Sequence, residues 1–125
     1  MPSRHELSRD EHAPAAARHA MRESCAGYSP DTTDTARLLV SELVTNSVQH
    51  GEGDTVTLLI DSRRPDVLRC GVIDGGSGFV PVAPADRAAG GWGLRLVERL
   101  SSVWGVREDP THVWFDLPLG ESAPQ

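Results

Sequence analysis

The chain has 125 residues, of which 38% are hydrophobic, and this suits one domain built around a single core. Its formal net charge is −6, whereas binding to nucleic acid or to an anionic membrane favours clustered positive charge. All twelve basic side chains are Arg, which excludes a phosphate-binding lysine of the P-loop kind. These properties favour a protein or a small molecule as the partner.

Cysteine usage and hydrophobicity indicate in which cellular compartment the protein is expected. Cys25 and Cys70 are far apart, and neither has a second Cys or a His at metal-ligand spacing, so we expect two buried, inert thiols. No segment approaches the ~20 apolar residues that span a bilayer, and Met1–Asp10 lacks the apolar core of a signal peptide. The sequence therefore predicts a cytoplasmic protein without direct membrane or nucleic-acid contacts.

The polar ends of the chain set the expected domain limits. Residues 1–12 are charged and predict a flexible segment, residues 13–119 are expected to form the domain, and residues 120–125 a polar tail.

Two helices are predicted at the start of the domain. Alanines behind Pro14 favour a helix at Ala13–Ala26. A second helix is expected to begin near Ser29, where Ser29 or Asp31 can cap it, and to end near Gly51. Its middle is apolar nearly all round, which predicts burial on several sides.

The second half of the domain alternates strand patterns with one loop and one helix. The β-branched segments predict two antiparallel hairpins, and the glycine- and proline-rich stretch between them predicts a functional lid. These elements are strands at Thr55–Ile60, Val67–Ile73, Val103–Arg107 and His112–Leu117, a lid at residues 75–90 and a helix at Leu94–Leu100. This order predicts an α+β two-layer sandwich, with helices on one face of a mostly antiparallel mixed sheet.

The first candidate motif lies on the second helix, where Glu42 and Asn46 are four residues apart and so share one side. A carboxylate on a helix lined by Leu and Val suits a pocket with a cation, or with a water to activate. Acid and amide oxygens are suitable ligands for Mg²⁺. The alternative interpretation is a solvated polar stripe, because Ser41, Thr45 and Gln49 are polar too.

The second motif begins with Asp74, at the end of an apolar strand and before Gly76 and Gly78. A carboxylate there can accept a hydrogen bond from the exocyclic amino group of adenine, and glycines allow a ligand to approach the backbone. The alternative is a glycine-rich turn that Asp74 caps.

The third motif is a glycine-rich helix start. Gly91 and Gly93 can present backbone N–H groups to phosphates at a helix N-terminus, or merely start the helix. Trp92 between them suits a packing anchor better than a base-stacking platform.

Together, these motifs resemble the small anti-sigma-factor kinase-like ATP-binding proteins of bacteria. These proteins belong to the GHKL superfamily, which includes gyrase, histidine kinases and mismatch-repair ATPases and shares the Bergerat ATP-binding fold. The resemblance covers roughly Ala13–Pro118. Its parts are an N box at Leu39–Gly51, glycine boxes at Val72–Phe79 and Gly90–Leu100, and a last strand at Thr111–Leu117.

The resemblance implies a role for each matching residue. Glu42 would be the catalytic general base, Asn46 the Mg²⁺ ligand and Asp74 the adenine reader, with Thr111 supporting adenine recognition through water. The glycines would form the lid ends and phosphate contacts. The implied ATP-binding residues are Asn46, Asp74, Gly76, Gly78, Gly91, Trp92, Gly93, Leu94 and Thr111.

The implied function is that of a homodimeric serine/threonine protein kinase that uses ATP and Mg²⁺. It would phosphorylate an anti-sigma antagonist of the STAS type, and would sequester a sigma factor. The alternative is an ATP-sensing module that binds a protein partner without phosphate transfer.

Overall fold

Two helices pack on one face of a sheet in the computed structural model, which describes residues 3–50, 53–74, 97, 99–107 and 112–119. The helices are α1 (Ala13–Ser24) and α2 (Pro30–His50). The described strands are β1 (Ser3–Ser8), β2 (Thr55–Asp61), β3 (Val67–Ile73), β4 (Val103–Arg107) and β5 (His112–Pro118). They lie in the order β1-β2-β3-β5-β4, and each described pairing is antiparallel. The predicted α+β two-layer sandwich is confirmed.

Side chains fix both ends of α2. At its start, Ser29 Oγ accepts the Thr32 backbone N–H at 3.2 Å, and Pro30 is the first helical residue, where a missing N–H costs nothing. At its other end, the Arg9 guanidinium donates to the Val48 carbonyl at 2.9 Å. A cation at a helix C-terminus also interacts favourably with the helix dipole. The structure confirms Ser29 as the cap, and these contacts stabilise both ends of α2.

The core lies between the helices and the inner face of the sheet. Successive strand residues alternate between the two faces, and the strand register places Ile60, Cys70 and Phe115 side by side on the inner one. All three are buried, as are the apolar residues of α2 that face them. Cys25 and Cys70 are both free and buried, as the sequence predicted.

The prediction of a flexible segment at residues 1–12 is wrong for Ser3–Ser8, which form the edge strand β1. This strand pairs with β2 from Ser3 opposite Ile60 to Ser8 opposite Thr55. Its side chains are alternately half-buried and exposed, and Leu7 is its one apolar residue. Backbone pairing with β2 therefore orders the segment, and its exposed charged side chains are typical of protected sheet edges.

The third predicted helix is described in part. Val97, Arg99 and Leu100 are helical, and Val97 is buried in the core. The rest of that helix, the predicted lid and the predicted tail lie outside the described residues. Within the described ranges, no helix combines the length and the apolar composition needed to cross a bilayer.

Candidate functional site

Glu42 and Asn46 lie along one border of the buried side of α2. Both residues are half-buried, whereas Leu43 and Val44 between them are buried in the core. Residues four apart on a helix have Cβ atoms about 5–6 Å apart, so the carboxylate and the amide are neighbours. The helix thus places an acid and an amide together where the core meets the surface.

The Asn46 side chain offers a buried oxygen atom to which a ligand could bind. Its Oδ1 is buried, and among the described residues it has no hydrogen-bond partner. Leaving such an acceptor unsatisfied costs about 1–3 kcal/mol, which binding of a cation or a donor would recover. A fully solvated polar stripe therefore does not describe Asn46.

An amide oxygen fits Mg²⁺, which prefers oxygen ligands and usually keeps several waters. The described residues contain no group of three or more His, Cys, Asp or Glu side chains that could hold a metal ion. Mg²⁺ held by Asn46 would share its other positions with waters and with phosphate oxygens. Such sharing is typical of Mg²⁺ bound together with a nucleotide.

Asp74 follows β3, and a buried hydrogen bond joins it to α2. The Ser47 hydroxyl donates to Asp74 Oδ2 at 2.8 Å, and the two residues are only 6% and 9% exposed. Because Ser47 is next to Asn46 in the chain, this bond brings the end of β3 to the same turn of α2. Two of the three predicted motifs therefore meet at one place.

Ser47 is not among the site residues predicted from the sequence, although the sequence contains a signal for it. Ser47 lies on the helical stripe that contains the buried residues Ala36, Val40 and Leu43, at spacings of four, three and four. A polar residue on such a stripe must find a partner, because buried polar groups are nearly always hydrogen-bonded. The pattern alone could not show that this partner is Asp74.

On another side of α2, Arg18 of α1 donates to Ser41 Oγ at 2.9 Å. Ser41, which the solvated-stripe interpretation included, thus links the two helices. It precedes Glu42 in the chain but is engaged with α1, so its hydroxyl has a packing role.

A second buried carboxylate, Asp116 on β5, has a different environment. It accepts two hydrogen bonds from Arg69, at 2.6 and 2.9 Å, and the guanidinium lies 4.6 Å from the Trp114 ring centroid. The bond to Asp116 raises the pKa of Arg69. This ion pair fastens β3 to β5, whereas Asp74 is joined to the helix that carries Glu42 and Asn46.

The sheet also fixes what lies beside Asp74. His112, the first residue of β5, pairs with Ile73, so the start of β5 lies next to the end of β3. The other predicted site residues lie outside the described part of the chain. These are Gly76, Gly78, Gly91, Trp92, Gly93, Leu94 and Thr111.

Known proteins resemble the chain in sequence profile and in fold. The sequence profile of the histidine kinase-like ATPase domain matches residues 7–116. No curated protein sequence matches the chain significantly.

Two solved structures are similar in fold. The chain matches the crystal structure of the RsbU and RsbW domains of Rv1364c from Mycobacterium tuberculosis with a TM-score of 0.71 and 22% identity, over 94% of this chain and 33% of that one. It matches the histidine kinase domain of the blue-light activated histidine kinase EL346 from Erythrobacter litoralis with a TM-score of 0.59 and 23% identity, over 89% of this chain and 61% of that one. The chain thus spans one third and about three fifths of the lengths of these structures.

Proposed function

Because the chain belongs to the histidine kinase-like ATPase domain family, we propose that it is an ATP-binding regulatory protein that acts as an anti-sigma-factor-type serine/threonine kinase. It phosphorylates an anti-sigma antagonist of the STAS type and sequesters a sigma factor. The main support for nucleotide binding is the buried Asn46 oxygen, which has no hydrogen-bond partner among the described residues. It lies one helical turn from Glu42 and next to Ser47, the residue bound to Asp74.

In this proposal, each of three described side chains has one role. Asp74 accepts a hydrogen bond from the amino group of adenine, because a carboxylate is an acceptor for N–H donors. Asn46 contributes one oxygen ligand to Mg²⁺, which when bound neutralises charge on the phosphate oxygens. Glu42 accepts the proton of the serine hydroxyl as its oxygen attacks the γ-phosphorus and the bond from that phosphorus to ADP breaks.

The remaining roles come from the resemblance. Gly91 and Gly93 contact the phosphates beside Trp92 and Leu94, Gly76 and Gly78 form an end of the lid, and Thr111 supports adenine recognition. The sigma factor, the STAS-type antagonist and a second copy of the chain are the proposed partners. The similarity to the structure that contains an RsbW domain supports the fold that this proposal requires.

The experiment compares phosphate transfer with nucleotide binding in a Glu42→Gln variant. Purified protein is incubated with ATP labelled at the γ-phosphate and a serine-bearing STAS-type protein, and ATP affinity is measured by calorimetry. The amide keeps the shape of Glu42 but cannot accept the proton, so we expect transfer to fall by about 10²–10⁴-fold while ATP affinity is retained. The matched control is Glu23→Gln on the exposed surface of α1, which should change neither quantity.

Two outcomes would overturn parts of the proposal. Equal transfer rates in the parent and Glu42→Gln proteins would remove Glu42 from the chemistry. If the parent protein bound ATP and a sigma factor but transferred no phosphate to any serine-bearing partner, the kinase assignment would be wrong. The ATP-sensing binding module would then take its place.

A further inference from the structure

We propose that Ser47 is a positioning residue that makes this site prefer a 6-aminopurine nucleotide over a 6-oxopurine nucleotide. The inference rests on the proposed role of Asp74 in reading the base. It adds a residue on α2, outside the strand end and glycine-rich segments, as a determinant of which purine is bound.

The Ser47 hydroxyl is directed away from its own helix. A serine hydroxyl has a single proton to donate, and in a helix it commonly donates to the carbonyl four residues earlier. Ser47 instead donates to Asp74 Oδ2 at 2.8 Å, across 27 positions of the chain and in a buried setting. The hydroxyl is therefore directed at the carboxylate proposed to contact the base.

This bond constrains the carboxylate. The donated proton occupies one lone pair of Oδ2 and holds the Asp74 side chain against α2. Asp74 is 9% exposed, so little water is available to replace a lost donor. Without the Ser47 hydroxyl, the carboxyl group loses this bond to α2 and gains freedom to rotate.

The chemistry of the two purines makes that freedom measurable. ATP presents an amino group at C6, which donates to a carboxylate, whereas ITP presents a carbonyl oxygen that a carboxylate repels. A rotated carboxylate loses part of its contact with the ATP amino group and part of its repulsion of the ITP oxygen. Both changes reduce the preference for ATP over ITP.

The test is calorimetric titration of the full chain with ATP and with ITP, each in saturating Mg²⁺. We expect the parent protein to prefer ATP. In Ser47→Ala the ratio of ATP affinity to ITP affinity should be about tenfold smaller, since one hydrogen bond to a charged group contributes about that factor. Ser47→Cys, which keeps the volume but is a weak donor, should show a similar loss and serves if the alanine variant does not fold. The matched control is Ser41→Ala, which removes a hydroxyl of the same helix that is engaged with Arg18 and should keep the parent preference.

A double-mutant cycle tests whether Ser47 acts through Asp74. Asp74→Asn should remove most of the preference by itself, and adding Ser47→Ala to it should change the ATP-to-ITP ratio no further. An equal weakening of ATP and ITP binding in the Ser47 variants would show a packing role only and overturn the inference, as would an unchanged ratio. Absence of ATP binding by the parent protein would instead overturn the proposed function.

Discussion

Arg9 holds the end of the helix that carries the candidate site, and replacing it should weaken both the fold and nucleotide binding. Its Nε donates to the Gly53 carbonyl at 2.5 Å, and its Nη1 donates to the carbonyls of Val48 at 2.9 Å and Ser47 at 3.4 Å. Arg9→Met keeps most of the aliphatic stem and removes these donors. The part-buried bond to Val48 contributes about 1.5 kcal/mol, and the exposed bond to Gly53 and the helix dipole contribute a few tenths each. We therefore expect the free energy of unfolding to fall by about 2 kcal/mol.

Urea denaturation followed by circular dichroism measures this change. The matched control is Arg22→Met, which removes an exposed cation from the last turn of α1 and should cost less than about 0.5 kcal/mol. ATP affinity should also decrease in the Arg9 variant, because the last turn of α2 begins next to Asn46. If Arg9→Met cost no more than Arg22→Met, the contacts at the end of α2 would not stabilise the protein as argued.

Two further predictions follow from ionisable groups. Hydrogen bonds from Arg63 lower the pKa of Asp61 from 3.8 to about 2, so this stabilisation is present above about pH 4 and is lost as the pH falls towards 2. When the free energy of unfolding is measured as the pH is lowered, Asp61→Asn should therefore lose less stability than the parent. The difference should be less than ~1 kcal/mol, because the pair is partly exposed. Identical curves for the two proteins would contradict this prediction. Burial raises the pKa of Cys25 to about 11 and that of Cys70 well above 9.0, so neither thiol should react with a maleimide within minutes at pH 8, whereas both should react in urea. Rapid labelling of either cysteine in the native protein would refute their burial.

The elements that sequence reasoning located carry local signals. A capping serine, Ser29, precedes the apolar stripe of α2, and β-branched residues mark β2 and β3 on either side of a polar turn. The strand β1 has no such signal, because Leu7 is its one apolar residue and its order depends on pairing with β2, about fifty residues later. Edge strands of this kind are specified by the neighbouring strand more than by their own composition.

The same distinction applies to the site. The spacing of Glu42 and Asn46 and the position of Asp74 after an apolar strand could be interpreted from the sequence, because each is a local pattern. The contacts of Ser47 with Asp74 and of Arg9 with Val48 join residues 27 and 39 positions apart. Only the folded structure shows these partners. The hydrogen bonds to them fix the orientation of the local motifs.

The most direct test of the account is a nucleotide titration with and without Mg²⁺, in the parent protein and in Asn46→Ala. The proposed role of Asn46 predicts that Mg²⁺ strengthens ATP binding in the parent, because the chain has no lysine to neutralise the phosphates and Asn46 offers the metal a buried oxygen. It predicts that this strengthening is largely lost in Asn46→Ala, and that it survives in Gln49→Ala, an exposed control on the same helix. Equal Mg²⁺ dependence in Asn46→Ala and the parent, or no binding of ATP by the parent, would contradict the account.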